Sequence, residues 1–167
     1  VLTNAPGFPW HMTNLNNYIN LVPGSAPDNT IKKGVTLQPL GHGSGMLGLP
    51  GDFTSPSRFI RASFYQTTAP LADNGFDAVV QSFHILNNFD IPTGTEFAWG
   101  KSPADVPSGT QFTVASDTHN CKIYYRTMYN SNIRCIDLKS IDFDKVKYQA
   151  EPLDRIKKEP IEMVSIK

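Results

Sequence analysis

The sequence contains little cysteine and no excess of charge of either sign. Two cysteines, Cys121 and Cys135, occur in 167 residues, and 15 basic side chains balance 15 acidic ones. So few cysteines exclude a scaffold that depends on several disulfides. A chain without net charge also lacks the field that attracts nucleic acid or an anionic membrane surface. We therefore expect neither nucleic acid nor a membrane as a partner.

Long apolar runs and clusters of metal ligands are also missing. No stretch approaches the ~20 apolar residues of a membrane-spanning helix, and no basic segment followed by an apolar one opens the chain as a leader. The four histidines are scattered, and neither cysteine lies at the spacing of a ligand pair. The sequence therefore predicts a globular protein without a metal site. Because it begins at Val1, we expect it to be part of a larger polypeptide or a processed product.

The two cysteines are predicted to be free thiols. If the hairpin between them turns near Asn130 and Ser131, Cys135 lies opposite Arg126 and Cys121 lies near Ser140. Those positions are too far apart for a disulfide, which needs Cα atoms within about 7 Å. We expect both thiols to be buried or half-buried, as free cysteines usually are.

Apolar residues at helical spacing predict three helices. The first covers about residues 9–20. The second is capped by Thr54 or Ser55, with Pro56 in its first turn, and the third follows Gly75 and stops before Pro92. The residues expected to face the core are Phe59, Ile60, Ser63, Phe64 and Thr67 in the second helix and Phe76, Val79, Val80 and Phe83 in the third.

From Gln111 onward the apolar period changes to two, which predicts antiparallel strands joined by turns at Asp117–Asn120 and Tyr129–Asn132. A short strand is expected at Val35–Leu37, within a long connection over residues 22–39. The segment from Glu151 is expected to form a closing strand or a docked tail. Helices packed on one face of an antiparallel sheet make an α+β fold.

The segment from Gly41 to Gly51 has five glycines in eleven residues. Gly43–Gly48 matches the dinucleotide pattern G-x-G-x-x-G by letter. That motif needs a helix that opens inside the loop, whereas the next helix is expected only near Ser55. This loop is not closed by a lysine followed by Ser or Thr, as a phosphate-binding loop would be. We interpret the glycines as allowing a tight loop against another element.

Two polar residues have both an ordinary and a functional interpretation. Arg58 lies in the first turn of its helix, where the helix dipole disfavours a cation. It is either a surface arginine or a group that orients a thiolate or carboxylate. Asn4, at the end of a strand, is either a turn residue or an amide donor for an oxyanion hole. His11 and His84 are interpreted as helix-surface or helix-packing residues.

Five segments resemble the choloylglycine hydrolase family, which comprises bile-salt hydrolases and penicillin V acylases. They are residues 2–6 (LTNAP), 13–18 (TNLNNY), 48–59 (GLPGDFTSPSRF), 82–86 (SFHIL) and 123–127 (IYYRT). The third segment is the most specific. The likeness extends over essentially the whole chain.

The resemblance implies an N-terminal-nucleophile hydrolase with a four-layer αββα sandwich, of which residues 1–167 form the C-terminal portion of a single domain. In this family an N-terminal cysteine attacks a linear amide, and its own α-amino group serves as the base. By position, Asn4 is similar to the oxyanion-hole asparagine and Arg58 to the active-site arginine. No metal or organic cofactor is implied.

The family's nucleophile has no counterpart in this sequence, because Val1 cannot replace it and Cys121 and Cys135 lie within predicted strands. The resemblance therefore implies that this chain alone is inactive and needs the N-terminal half of the enzyme. The whole protein is expected to be a bacterial homo-oligomer, a tetramer as is common in the family, and to be cytoplasmic or periplasmic.

Conjugated bile salts, cleaved to bile acid plus glycine or taurine, are the expected substrate. Penicillin V is the first alternative, and acyl-homoserine lactones are another. A catalytically inactive fragment or binding module is the alternative outside enzymes.

Overall fold

A computed structural model describes residues 5–101, 109–157 and 161–166. These residues contain three α-helices and five β-strands, consistent with the predicted α+β class. The chain divides into two compact units, the first ending at Pro70 and the second beginning at Leu71. None of the helices in the described ranges is long and apolar enough to cross a bilayer.

The first unit contains helices α1 (Phe8–Asn14) and α2 (Ser55–Thr68) and the antiparallel hairpin β1 (Asn29–Lys32) and β2 (Val35–Leu37). A 3₁₀ turn over Leu15–Tyr18 continues α1. The first predicted helix is therefore confirmed in position, although only its first half is α-helical. The strand predicted at Val35–Leu37 is also confirmed, whereas its partner β1 was not predicted.

Helix α2 begins where the sequence places it. Thr54 is the extended N-cap residue and Pro56 lies in the first turn, where its missing N–H costs nothing. Phe59 and Ile60 are 3% and 1% exposed and form the core of this unit. The prediction that Thr67 faces the core is wrong. Thr67 is exposed, and its hydroxyl donates to the carbonyl of Ser63 in the preceding turn (2.9 Å).

The glycine-rich loop approaches another segment closely, as its composition predicts. Gly45, in a 3₁₀ turn, donates its N–H to the carbonyl of Gly24 (2.9 Å) and accepts from the N–H of Val22 (3.0 Å). A Cβ at Gly45 would lie 2.5 Å from the Val22 carbonyl oxygen, closer than any side chain permits. Helix α2 starts only after this loop, at Ser55, so the arrangement is not that of a dinucleotide-binding turn.

The second unit contains helix α3 (Gly75–Leu86) and a sheet of three antiparallel strands in the order β3 (Phe112–Asp117), β4 (Lys122–Thr127) and β5 (Asn130–Asp137). The Asn74 side chain caps α3 by accepting the N–H of Asp77 (3.0 Å). Val79 and Phe83 are buried, as predicted, but the prediction for Phe76 is wrong because this residue, in the first turn, is 76% exposed.

The two faces of this sheet differ. Helix α3 packs on the face that carries Arg126, whose guanidinium lies 5.6 Å from the centre of the Phe83 ring. On the opposite face, Phe112, Val114 and Ile136 are 57%, 42% and 40% exposed. The same face carries Tyr125, Thr127 and Arg134 beside these apolar residues. The sheet therefore has one face partly covered by a helix and a second, mixed face whose apolar side chains are partly exposed.

The register of β4 and β5 corrects the prediction for the cysteines. The strands turn at Met128 and Tyr129, two residues earlier than expected, so that Cys135 lies opposite Tyr124 instead of Arg126. Both cysteines are free, as predicted, but both are exposed, so the expectation of buried or half-buried thiols is wrong.

The segment that follows the sheet is docked without forming a strand over residues 151–157. Asp154 accepts from Arg134 of β5 (2.6 Å) and from the hydroxyl of Thr127 of β4 (2.7 Å). The hydrogen bond from Arg134 is the largest cause of a lowered pKa of Asp154. Of the two outcomes expected for the segment from Glu151, residues 151–157 therefore show the docked tail, whereas residues 161–166 are exposed.

Candidate active site

Arg58 lies at the N-terminal end of α2, and its side chain folds back over the start of its own helix. Its Nη1 donates to the carbonyl of Phe53 at 2.5 Å, and the residue is half-buried. The carbonyl offsets the unfavourable position of a cation in the first turn. A guanidinium has five N–H donors, so this one hydrogen bond is compatible with a second, anionic partner.

The turn before α2 is braced by Asp52. Its carboxylate accepts hydrogen bonds from the Ser57 hydroxyl (2.6 Å) and from the Thr54 backbone N–H (2.9 Å). These hydrogen bonds, led by the one from Ser57, lower the pKa of Asp52 to about 2. Asp52 thus fixes the entry to α2, whose N-cap residue Thr54 makes no side-chain capping hydrogen bond.

Arg61, one helical turn after Arg58, is a site residue that the sequence analysis missed. It is only 4% exposed, and its Nη1 donates to the carbonyls of Pro50 (2.7 Å) and Asp52 (2.6 Å). Burial is the main cause that lowers the pKa of Arg61. Its place in α2, one turn after Arg58 and close to the buried pair Phe59 and Ile60, is the signal that could have indicated it.

An aromatic cluster joins α1 to α2 next to Arg58. The His11 ring stacks on the Phe59 ring, with ring centres 4.6 Å apart and planes 17° apart. Phe8 meets the Phe59 ring edge-on, with ring centres 6.0 Å apart. His11 is completely buried, and neither ring nitrogen has a hydrogen-bond partner within the described ranges. Of the two interpretations given for the histidines, His11 is therefore a helix-packing residue. His84 is exposed and is a helix-surface residue.

Asn4, the other predicted site residue, lies outside the described residues, which begin at Ala5. Helix α1 starts at Phe8, four residues after Asn4. Elsewhere in the described chain, no group of three or more His, Cys, Asp or Glu side chains is arranged to hold a metal ion.

This chain is similar in sequence to a known enzyme family over most of its length. Residues 1–150 match the model of a family described as linear amide C–N hydrolases, choloylglycine hydrolase family. A bile salt hydrolase/transferase of Clostridium perfringens is 37% identical over 144 residues, which are 86% of this chain and 42% of that protein. One of Lactiplantibacillus plantarum is 34% identical over 154 residues, 92% of this chain and 46% of that protein.

Solved structures agree with these sequence relatives. A variant of the conjugated bile acid hydrolase of C. perfringens superposes with a TM-score of 0.78 at 32% identity, over 98% of this chain and 48% of that one. The penicillin V acylase of Agrobacterium tumefaciens, at 21% identity over 84% of this chain and 36% of that one, has a TM-score of 0.56 and shares the fold. The chain spans less than half the length of the curated relatives described above. On the match over residues 1–150, the chain belongs to the choloylglycine hydrolase family.

Proposed function

We propose that the protein containing this chain hydrolyses the amide bond of conjugated bile salts and releases a bile acid and glycine or taurine. The substrate choice rests on sequence identity, which is higher to bile acid hydrolases than to penicillin V acylase. In structural superposition, the conjugated bile acid hydrolase of C. perfringens is 32% identical to this chain. The penicillin V acylase of A. tumefaciens is 21% identical.

In this proposal Arg58 and Asn4 are the active-site residues that this chain contributes. The half-buried guanidinium of Arg58, held on one side by the Phe53 carbonyl, supports an anionic group with its other donors. The Asn4 amide donates to the oxyanion that forms when the substrate carbonyl is attacked.

The nucleophile comes from a part of the protein outside this sequence. An N-terminal cysteine loses its proton to its own α-amino group and attacks the amide carbon. The tetrahedral intermediate collapses as the C–N bond breaks, and the leaving nitrogen takes up the proton, which releases glycine or taurine. Water then attacks the thioester, which frees the bile acid and restores the thiol. On this basis the chain alone is inactive.

The apolar side chains that remain partly exposed on one face of the sheet support the need for a second half. Phe112, Val114 and Ile136 lie on that face, and relatives about twice as long have the additional chain that could cover it. We infer that the N-terminal half packs on the part of this face that the docked residues 151–157 leave exposed, so that residues 1–167 are one part of a single αββα domain. We expect the assembled protein to be a bacterial homo-oligomer.

The test is an assay of the whole protein on glycocholate and on penicillin V, with mass spectrometry of its mature N-terminus. Arg58→Ala and Asn4→Ala should each lower kcat on glycocholate with an unchanged circular-dichroism spectrum. The loss from Asn4→Ala should be about 10²-fold or more, the usual effect of removing an oxyanion donor. Arg155→Met, which removes a side chain that is 82% exposed, is the matched control and should leave the rate unchanged.

Three results would change this proposal. Wild-type rates in both variants would refute the assignment of the site. Faster cleavage of penicillin V than of glycocholate would make the protein a penicillin V acylase, the alternative that the shared fold favours. A mature protein without an N-terminal cysteine and without activity on either amide would make the chain part of a binding module.

A further inference from the structure

A connected set of hydrogen bonds surrounds the turn that precedes α2. Arg61 donates to the carbonyls of Pro50 and Asp52. The Asp52 carboxylate accepts from Ser57 and from the Thr54 N–H. The set, which we call the turn brace, therefore fixes the backbone on both sides of Phe53.

Phe53 supplies the carbonyl that holds Arg58. The Phe53 carbonyl belongs to the same peptide group as the Thr54 N–H, which donates to the Asp52 carboxylate. The carbonyl of the preceding residue, Asp52, accepts from Arg61. The direction of the Phe53 carbonyl, and with it the position of the Arg58 guanidinium, is thus determined by the turn brace.

We propose that Arg61 is a positioning residue for Arg58, acting through the turn brace and without contact to substrate. The proposal rests on the function proposed above, in which Arg58 lies in the active site. The geometry supports this role for an arginine in particular. Arg61 is 4% exposed, and one guanidinium nitrogen reaches two carbonyls of the turn at 2.7 and 2.6 Å. A shorter or more flexible cation would not hold both in a fixed direction.

Catalysis depends on the exact position of the Arg58 guanidinium in the proposed active site. A displacement of an active-site group by about 1 Å can lower the rate by 10²-fold even when the altered residue is remote from the substrate. Loss of Arg61 frees the carbonyls of Pro50 and Asp52 and lets the Phe53 carbonyl rotate. We therefore expect a fall in kcat of ~10-fold or more, with KM changed by less than about 3-fold.

A double-mutant cycle on the whole enzyme distinguishes positioning from a general structural role. Arg61→Met, Arg58→Ala and the double variant are compared with the wild type for kcat and KM on glycocholate. If Arg61 acts through Arg58, Arg61→Met lowers kcat by ~10-fold in the wild-type background but by less than about 2-fold in the Arg58→Ala background. Arg61→Lys, which keeps the charge and can reach one carbonyl, should recover part of the loss. Arg155→Met is again the control.

The outcomes separate this proposal from the one on which it rests. An equal loss from Arg61→Met in both backgrounds would overturn positioning through Arg58 and leave the proposed function intact. A wild-type rate in Arg58→Ala would overturn both. If thermal unfolding shows that Arg61→Met does not fold, Ser57→Ala and Asp52→Asn take its place in the cycle, because each loosens the turn from the other side. We expect a smaller loss from each that likewise disappears in the Arg58→Ala background, and additive losses would overturn the proposal.

Discussion

Replacement of His11 is the sharpest test of how the first unit is held together. The imidazole is completely buried against Phe59 and Trp10, and neither nitrogen has a partner in the described part of the chain. A buried polar group without a hydrogen bond costs about 1–3 kcal/mol. The ring contacts themselves are favourable and do not depend on the nitrogens.

Two substitutions separate these contributions to the free energy of unfolding. His11→Phe keeps a ring on Phe59 and removes the unpaired nitrogens, at a cost of about 1 kcal/mol for the larger ring. The variant should be as stable as the wild type or up to about 2 kcal/mol more stable. His11→Ala also removes the nitrogens but leaves a cavity worth about 3–5 kcal/mol for an aromatic side chain. We expect it to be destabilised by up to about 4 kcal/mol relative to the wild type, and by about 2–4 kcal/mol relative to His11→Phe.

Urea unfolding of the whole protein, followed by circular dichroism, measures both values from the midpoint and the slope. His84, which is exposed in the last turn of α3, provides the control, since His84→Ala should change stability by less than about 0.5 kcal/mol. If His11→Phe were clearly less stable than the wild type, the imidazole would be making a hydrogen bond that matters, and the interpretation of His11 as a purely aromatic packing residue would be refuted.

Two further predictions concern the turn before α2 and the glycine-rich loop. Because the pKa of Asp52 is lowered to about 2, its carboxylate stabilises the fold fully above about pH 4 and progressively less as the pH falls toward 2. Acid titrations of the wild type and Asp52→Asn should therefore converge over that window, and parallel curves would contradict the assignment. Gly45→Ala should destabilise the protein by about 1–3 kcal/mol, because its Cβ would meet the Val22 carbonyl at 2.5 Å. Gly51→Ala, where a Cβ meets nothing within 4 Å, is the matched control, and equal thermal stability of the two variants would refute the need for a close approach at Gly45.

Local sequence determined the elements better than it determined their contacts. Pro56 and the apolar pair Phe59 and Ile60 were sufficient to place α2 and its buried face, because helix capping and apolar periodicity act within one or two turns. The exposure of Phe76 was not predictable in this way, since periodicity indicates which side of a helix is apolar but not how much of that side another element covers.

The register of the hairpin between β4 and β5 shows the same limit. Alternation predicted both strands, but the turn falls at Met128 and Tyr129, and the pairing has an irregularity between Tyr125 and Thr127. A shift of this kind changes which residue lies opposite Cys135, because every cross-strand pair depends on the turn.

The sequence by itself determined the α+β class, the close approach at the glycine-rich loop, and the residue in α2, Arg58, that the proposed active site requires. Each of these depends on local backbone preferences or on a continuous motif. The tertiary structure decided which polar side chains are buried, namely His11 on Phe59 and Arg61 on the carbonyls of the turn. Their burial depends on partners remote in sequence or on the path of a turn, because the free-energy cost of removing a polar group from water is set by the groups that surround it in space.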